Sequence, residues 1–212
     1  MIQAVIFDLD GTVLDNEGKW EEAFRIVAER TGIQYSVIGN RWIHEPGIGV
    51  LPNWEKLVGQ GEEAVEMTRE TEEEYHKTPD SLVMNGVEEL VAAIKEQGWL
   101  TGLATGSNWN VVEEELEQLN LWLAFDVTTT GEEVLAQKPD PEIYLLTAQK
   151  LGVDPETCVV IEDSVAGVES AVAAGMKVIG LTSGYANREM LKKAGAKNVV
   201  ESLEEVMGVM LV

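Results

Sequence analysis

Two aspartates one residue apart end an apolar run. In VIFDLDGTVLDN, Val5 to Asn16, Asp8 and Asp10 meet a glycine turn at Gly11. Farther on, LATGS ends on Thr105, Gly106 and Ser107, QKPDP carries Lys138, and TCVVIEDS ends on Glu162, Asp163 and Ser164. Carboxylates sharing one crevice repel one another, and one takes up a proton unless a cation intervenes. A hard divalent ion with oxygen ligands, most simply Mg2+, resolves the conflict and leaves them ionised. One of them can then attack an electrophile, and attack on phosphorus gives an aspartyl-phosphate. The transferring phosphoryl group spreads negative charge over its oxygens. Donors are needed there: backbone N–H groups, the Ser107 or Thr105 hydroxyl, and the Lys138 ammonium. A second acid must protonate the leaving oxygen and later activate water. The Asp8–Asp10 spacing lets two carboxylates face one space while dividing that labour.

Taken singly, each piece has a plainer reading. Asp10-Gly11 is a common turn. Ser107-Asn108 equally reads as a helix cap, Ser164 caps a helix whatever else it does, and Lys138 alone reads as a surface lysine. Glu162 and Asp163 read as acids complementing a helix dipole. Gly11 relaxes the backbone of its turn, Thr12 is placed to tie the loop by hydrogen bonding, and Pro139 biases Lys138 toward an extended backbone.

What brings the pieces together is the order of elements. AVIFD (Ala4 to Asp8) has the length and Val/Ile content of a strand buried on both faces. Trp20, Phe24, Val27 and Ala28 recur at helical spacing from Glu17 to Glu29. Helices are also expected around Asn53 to Val58 and Glu62 to Lys77, with no strand between Asp15 and Asp80. The alternation then resumes. A helix over Val87 to Gln97 leads to the strand Leu100 to Thr105, and a helix over Trp109 to Leu119 leads to the strand Phe125 to Thr130. The helix Pro141 to Gly152, with Pro at its start and Gly at its end, leads to the strand Thr157 to Glu162. A helix from Ser164 to Gly175, with a Ser cap and a Gly stop, leads to Lys177 to Leu181 and Asn198 to Val200. Strands alternating with helices imply an α/β fold with a doubly wound parallel sheet. The helical insert, residues 15–81, would sit as a cap over a core made of residues 1–14 and 82–212. Ligands bind such sheets outside the carboxyl ends of the strands, the edge to which Asp8, Asp10, Thr105, Gly106, Ser107, Lys138, Glu162 and Asp163 are all delivered.

The 212 residues include 38 acidic and 15 basic ones, a net charge of −23. That argues against nucleic-acid backbones and anionic membranes as partners, while a metal ion and a well-placed lysine still permit a small phosphorylated metabolite. The acidic runs EEAVEMTRETEEE and EEELEQ read as solvated helix faces. No apolar run is long enough to span a bilayer, and the start shows no signal peptide. Cys158 is the only cysteine. Its apolar neighbours imply buried packing, and a single thiol fits a reducing cytoplasm. A monomer is expected.

DLDGT, LATGS, KPDP and EDS resemble, in order, the four motifs of the haloacid dehalogenase superfamily of phosphohydrolases. The helical insert is similar to the cap of its beta-phosphoglucomutase and phosphoglycolate phosphatase branch, as are GEEVLAQKPDPEIY, EDSVAGVESAVAAGM and AGAKNVVESLEEV. The resemblance implies a Rossmann-like core. By position it makes Asp8 the nucleophile and Asp10 the acid/base. It gives Mg2+ to Asp8, the Asp10 carbonyl and Asp163, with Glu162 close behind, and the phosphate to Thr105, Gly106, Ser107 and Lys138.

The cap departs from what the resemblance supplies. Mutase relatives carry a histidine in the first cap helix, where this chain has Trp20. In RWIHEPGIGVLPNW, Arg41, His44, Asn53 and Lys56 are candidate substrate readers, although Trp42 and Trp54 read better as cap core and His44 as structural. Three functions compete: a Mg2+-dependent phosphatase for a small phosphomonoester, a sugar phosphomutase, and a non-catalytic phospholigand-binding module. Intact Asp8 and Asp10 speak against the last. The expected enzyme is the phosphatase.

Overall fold

The computed structural model describes residues 1–33, 37–38, 41–42, 44–78 and 81–211; for residues 37–38 and 41–42 only the backbone is described. The chain opens with strand β1 (Ala4–Phe7) and the two-residue β2 (Leu14–Asp15). It continues through helix α1 (Glu17–Thr31), the short strands β3 (Val37–Ile38) and β4 (Arg41–Trp42), and helices α2 (Val50–Val58) and α3 (Glu62–Lys77). After β5 (Leu82–Val83) come α4 (Val87–Glu96), β6 (Leu100–Ala104), α5 (Trp109–Gln118) and β7 (Val127–Thr129). The last stretch is α6 (Glu142–Leu151), β8 (Cys158–Glu162), α7 (Val165–Ala173), β9 (Lys177–Leu181), α8 (Arg188–Ala194), β10 (Asn198–Val200) and α9 (Val206–Met210).

Six strands form one parallel sheet in the order β10-β9-β8-β1-β6-β7. The chain therefore builds outward from β1 on one side, then returns to build the other, which leaves β1 central and buried on both faces. Successive side chains of a strand point to opposite faces. Val5 and Phe7 pack with Leu103, Val159 and Ile161 under α4, α5 and α9. Ala4 and Ile6 pack with Ala104, Val160 and Val178 under α6, α7 and α8. Among the described residues no helix is long and apolar enough to cross a membrane.

The three helices of the insert share a core of Trp20, Phe24, Val27, Trp54, Met67 and Tyr75. The buried Trp54 indole donates to Thr71 Oγ1 at 2.9 Å. Both chain connections to the insert pass through an antiparallel pair, Leu14 opposite Val83 and Asp15 opposite Leu82.

Several expectations need correction. The insert contains the antiparallel pair β3–β4, and two-residue strands are too short to show an alternating pattern. Helix α2 starts three residues before Asn53 and includes Pro52 in its first turn, where a missing N–H costs nothing. Helix α8 is an element beyond those expected, capped by Asn187, which accepts from the N–H groups of Glu189 and Met190, both at 3.0 Å. The Thr12 hydroxyl ties nothing: it is buried and meets no hydrogen-bond partner among the described residues.

Candidate active site

The carboxyl end of β1 places Asp8 in register with the end of β8, its N–H donating to the Ile161 carbonyl at 3.1 Å. Its side chain is buried. Lys138, joined by a cis peptide to the Pro139 that follows it, reaches the strand ends from the loop before α6. The Lys138 ammonium donates to Asp8 Oδ1 at 2.5 Å, to Glu162 Oε1 at 2.7 Å and to the Ala104 carbonyl at 3.2 Å. Burial alone would lower the Lys138 pKa, but Asp8 and Glu162 hold it well above its ordinary value, so the lysine stays charged.

Glu162 is fully used. Tyr144 also donates to its Oε1 at 2.9 Å, while the Ser164 N–H and hydroxyl both donate to Oε2 at 2.9 Å. Ser164 meanwhile caps α7, accepting from Gly167 N at 3.0 Å. A Cβ on Gly167 would stand 1.6 Å from Glu162 Oε1, so that glycine makes room for the carboxylate at the start of the helix. Asp163 is the opposite case. Its Oδ2 is buried and meets no hydrogen-bond partner among the described residues. The oxygen lies in a cradle of two glycines: a Cβ on Gly11 would come within 2.3 Å of it and one on Gly184 within 2.4 Å. Gly11, at φ +76°, thus serves the close approach as well as the turn.

Asp8, Glu162 and Asp163 each offer an oxygen within 4.8 Å of the others. Burial pushes the Asp8 carboxyl well above its usual range, with Lys138 opposing and Glu162 and Asp10 adding to the rise. Asp163 is pushed up by burial, then by Glu162, Glu17 and Asp8. Three buried acids with one lysine, and one orphaned oxygen among them, are the donor set a small hard cation fits.

Asp10 stands apart from that cluster and is ringed by donors. Asn16 Nδ2 at 2.6 Å and Trp20 Nε1 at 2.8 Å donate to Oδ1. The Ser107 hydroxyl at 2.8 Å and the Thr105 hydroxyl at 3.2 Å donate to Oδ2. The eight residues expected at the sheet edge lie there, Gly106 lining the cleft with Asp8, Asp10 and Ser107, but the two hydroxyls expected to grip a phosphate are turned to Asp10. Asn108 follows suit: its Nδ2 donates to Glu72 of α3 at 2.6 Å and makes no side-chain cap.

A family model described as haloacid dehalogenase-like hydrolase matches residues 2–175. The chain belongs to that family. Over 213 residues it is 34% identical to the phosphorylated carbohydrates phosphatase of Thermotoga maritima, covering 99% of this chain and 98% of the relative. It is 34% identical to hexitol phosphatase B of Escherichia coli, over 84% of this chain and 82% of the relative. A crystal structure of beta-phosphoglucomutase from Clostridium difficile superposes with a TM-score of 0.84 at 28% identity, over 100% of this chain and 96% of that one. The chain is accordingly an enzyme, a hydrolase of the phosphatase type.

In this haloacid dehalogenase-like chain the insert closes directly over the sheet edge. Glu17, Trp20, Phe24 and His44 line the same cleft as Asp8 and Asp10. His44 is buried against the Phe24 ring at 5.2 Å, and its Nε2 lies 3.4 Å from Glu17 Oε2. Asn53 is spent on structure. Its Oδ1 accepts from Glu45 N at 2.7 Å, and its Nδ2 donates to Glu45 O at 3.1 Å and Gly49 O at 2.8 Å. Lys56 pairs with Glu45 in the open. Trp54 is cap core, as expected; the side chains of Arg41 and Trp42 lie outside the described residues.

Sequence reasoning missed Asn16, Tyr75 and Glu115, and misread the acidic runs at particular positions. Glu72 and Glu115 are buried, facing between insert and core, not solvent. A signal was present in part: Glu72, Tyr75 and Thr68 share one face of α3 at three- and four-residue spacing with Thr71.

Proposed function

We propose that this hydrolase is a Mg2+-dependent phosphatase for a small phosphorylated sugar or similar metabolite, working through an aspartyl-phosphate on Asp8. The observation that carries this reading is the Asp8–Glu162–Asp163 cluster, with its orphaned Asp163 oxygen and its single buried lysine. Asp8 and Asp163, with the Asp10 carbonyl, would hold Mg2+, which would keep Asp8 ionised and draw charge from the phosphoryl oxygens. Glu162, its oxygens filled by Lys138, Tyr144 and Ser164, acts from behind by fixing Lys138. We take residues 15–81 as the cap and residues 1–14 with 82–212 as the catalytic core.

Asp8 attacks phosphorus, Lys138 neutralises the developing charge, and the Thr105 and Ser107 hydroxyls turn from Asp10 to the phosphoryl oxygens. That turn frees Asp10 Oδ2. Its Oδ1 remains occupied by the N–H groups of Asn16 and Trp20, so the proton delivered to the leaving oxygen sits on Oδ2. The same atom then takes a proton from the water that attacks phosphorus and breaks the Asp8–phosphoryl bond. The buried Cys158 thiol fits work in the reducing cytoplasm.

The Clostridium difficile structure, named as a mutase, supports a second reading as a sugar phosphomutase. Trp20 favours the hydrolase. An indole N–H donates only, so it cannot accept from a sugar hydroxyl as a neutral histidine can. A screen of phosphorylated metabolites, each with Mg2+ and with chelator, tests the proposal: metal-dependent phosphate release from sugar phosphates is expected, and release unaffected by chelation would overturn it.

A further inference from the structure

Behind Asp10 runs a buried polar chain of which the proposed chemistry uses only Asn16. Asn16 Nδ2 gives one hydrogen to Asp10 Oδ1 at 2.6 Å and the other to the Tyr75 hydroxyl at 2.8 Å. Tyr75 in turn donates to Glu115 Oε1 at 2.5 Å. Ser81 donates to the same oxygen at 2.5 Å, and Lys19 Nζ reaches it at 3.1 Å. Asn16, Tyr75, Ser81 and Glu115 are all buried. The chain crosses every joint of the molecule: Asn16 lies on one connection to the insert, Ser81 on the other, Tyr75 on α3 of the insert and Glu115 on α5 of the core.

We propose that Glu115 and Tyr75 are positioning residues for Asp10, acting through Asn16. A carboxylate offers Tyr75 only acceptors. The Ser81 hydroxyl also lies 3.1 Å from the phenol, but Glu115 is the nearer and the charged acceptor, so the single phenolic proton points at Glu115 and an oxygen lone pair is left facing Asn16. With one amide hydrogen committed to Tyr75, the other is aimed at Asp10 Oδ1, and the Asp10 carboxylate is held with Oδ2 toward the cleft. Without Glu115 the Tyr75 proton is free to turn on Asn16, the amide loses its acceptor, and Asp10 loses its orientation. The order of the general acid is thereby tied to the seating of the insert on the core. This inference rests on the reading of Asp10 as general acid and base.

The test uses full-length protein with Mg2+ and two phosphomonoesters, 4-nitrophenyl phosphate with a good leaving group and benzyl phosphate with a poor one. Tyr75→Phe keeps the ring stacked on Trp20, with centroids 4.0 Å apart, and removes the hydroxyl. Misaligning the acid should lower kcat on benzyl phosphate about tenfold, with KM unchanged and a much smaller loss on 4-nitrophenyl phosphate. Glu115→Ala should behave alike, and Glu115→Gln, whose amide oxygen still accepts from Tyr75, should recover most of the loss. In an Asp10→Asn background Tyr75→Phe should cost nothing further. Equal losses on both substrates, equal losses for Glu115→Gln and Glu115→Ala, or a full loss persisting beside Asp10→Asn would each overturn the proposal. Should Tyr75→Phe fail to fold, the Glu115 pair decides alone. The reading of Asp10 is judged separately: it fails if Asp10→Asn by itself shows no dependence on the leaving group.

Discussion

The Trp20 indole nitrogen donates to Asp10 Oδ1 at 2.8 Å. A residue of the first insert helix thus completes the surroundings of a core carboxylate ten residues before it. The contact assigns one Asp10 oxygen to fixed N–H donors and leaves the other facing hydroxyls that can turn away.

Trp20→Phe removes this donor while a ring still packs on Tyr75. A hydrogen bond to a charged group is worth about 1.5–3 kcal/mol, and three donors remain, so turnover of benzyl phosphate should fall about tenfold. Steady-state kinetics decide it, and an unchanged kcat would show that the Trp20 N–H does not hold Asp10.

Lys138→Met should damage stability as well as activity. The substitution leaves Asp8 and Glu162 buried with no counter-charge, and breaking a buried ion pair on one side costs about 3–5 kcal/mol. Denaturant unfolding without metal should show a loss of that order. A loss under about 1 kcal/mol, the range of an exposed pair, would mean that the lysine does not hold the two carboxylates as described.

Much of the sheet edge was legible because three of the four motifs lie at the end of a short apolar run, while Lys138 sits in the loop before α6, and six such runs in alternation with helices leave few topologies. The partners of the motifs were harder to read. Nothing in LATGS says that Ser107 faces Asp10, since that contact joins residues 97 positions apart. Glu115 was illegible for a different reason. EEELEQ carries four acids in six residues, and composition favours solvent for all of them, whereas one position on the helix faces Tyr75 and Ser81. The insert gave least, because α2 begins across a proline and β3 and β4 are two residues each.

Gly11→Ala should weaken metal binding more than folding. The added carbon meets Asp163 Oδ2, and a positive φ costs a non-glycine residue roughly 1–2 kcal/mol. The measurement is the rise in melting temperature on adding Mg2+. That rise should be largely lost in the variant; an undiminished rise would show that Asp163 is not a ligand.

Cys158 should resist modification until the protein unfolds. Burial pushes its thiol up to about 11, against an ordinary value of about 8.5. The unfolded thiol ionises first, so this group's contribution to stability is full below the ordinary value and is lost as pH rises toward the folded one. Thiolate absorbance of the native protein should titrate near the higher value. A midpoint near the ordinary value, or rapid reaction with a disulfide reagent in the native state at neutral pH, would contradict the burial.

In the proposed reaction Asp8 carries the phosphoryl group and water takes it. Its most direct test is the product formed from beta-glucose 1-phosphate with Mg2+ and a catalytic trace of the 1,6-bisphosphate, followed for the wild type and Asp8→Asn. Inorganic phosphate and free sugar are expected from the wild type and none from the variant. Glucose 6-phosphate forming without net phosphate release, or phosphate released equally by Asp8→Asn, would contradict it.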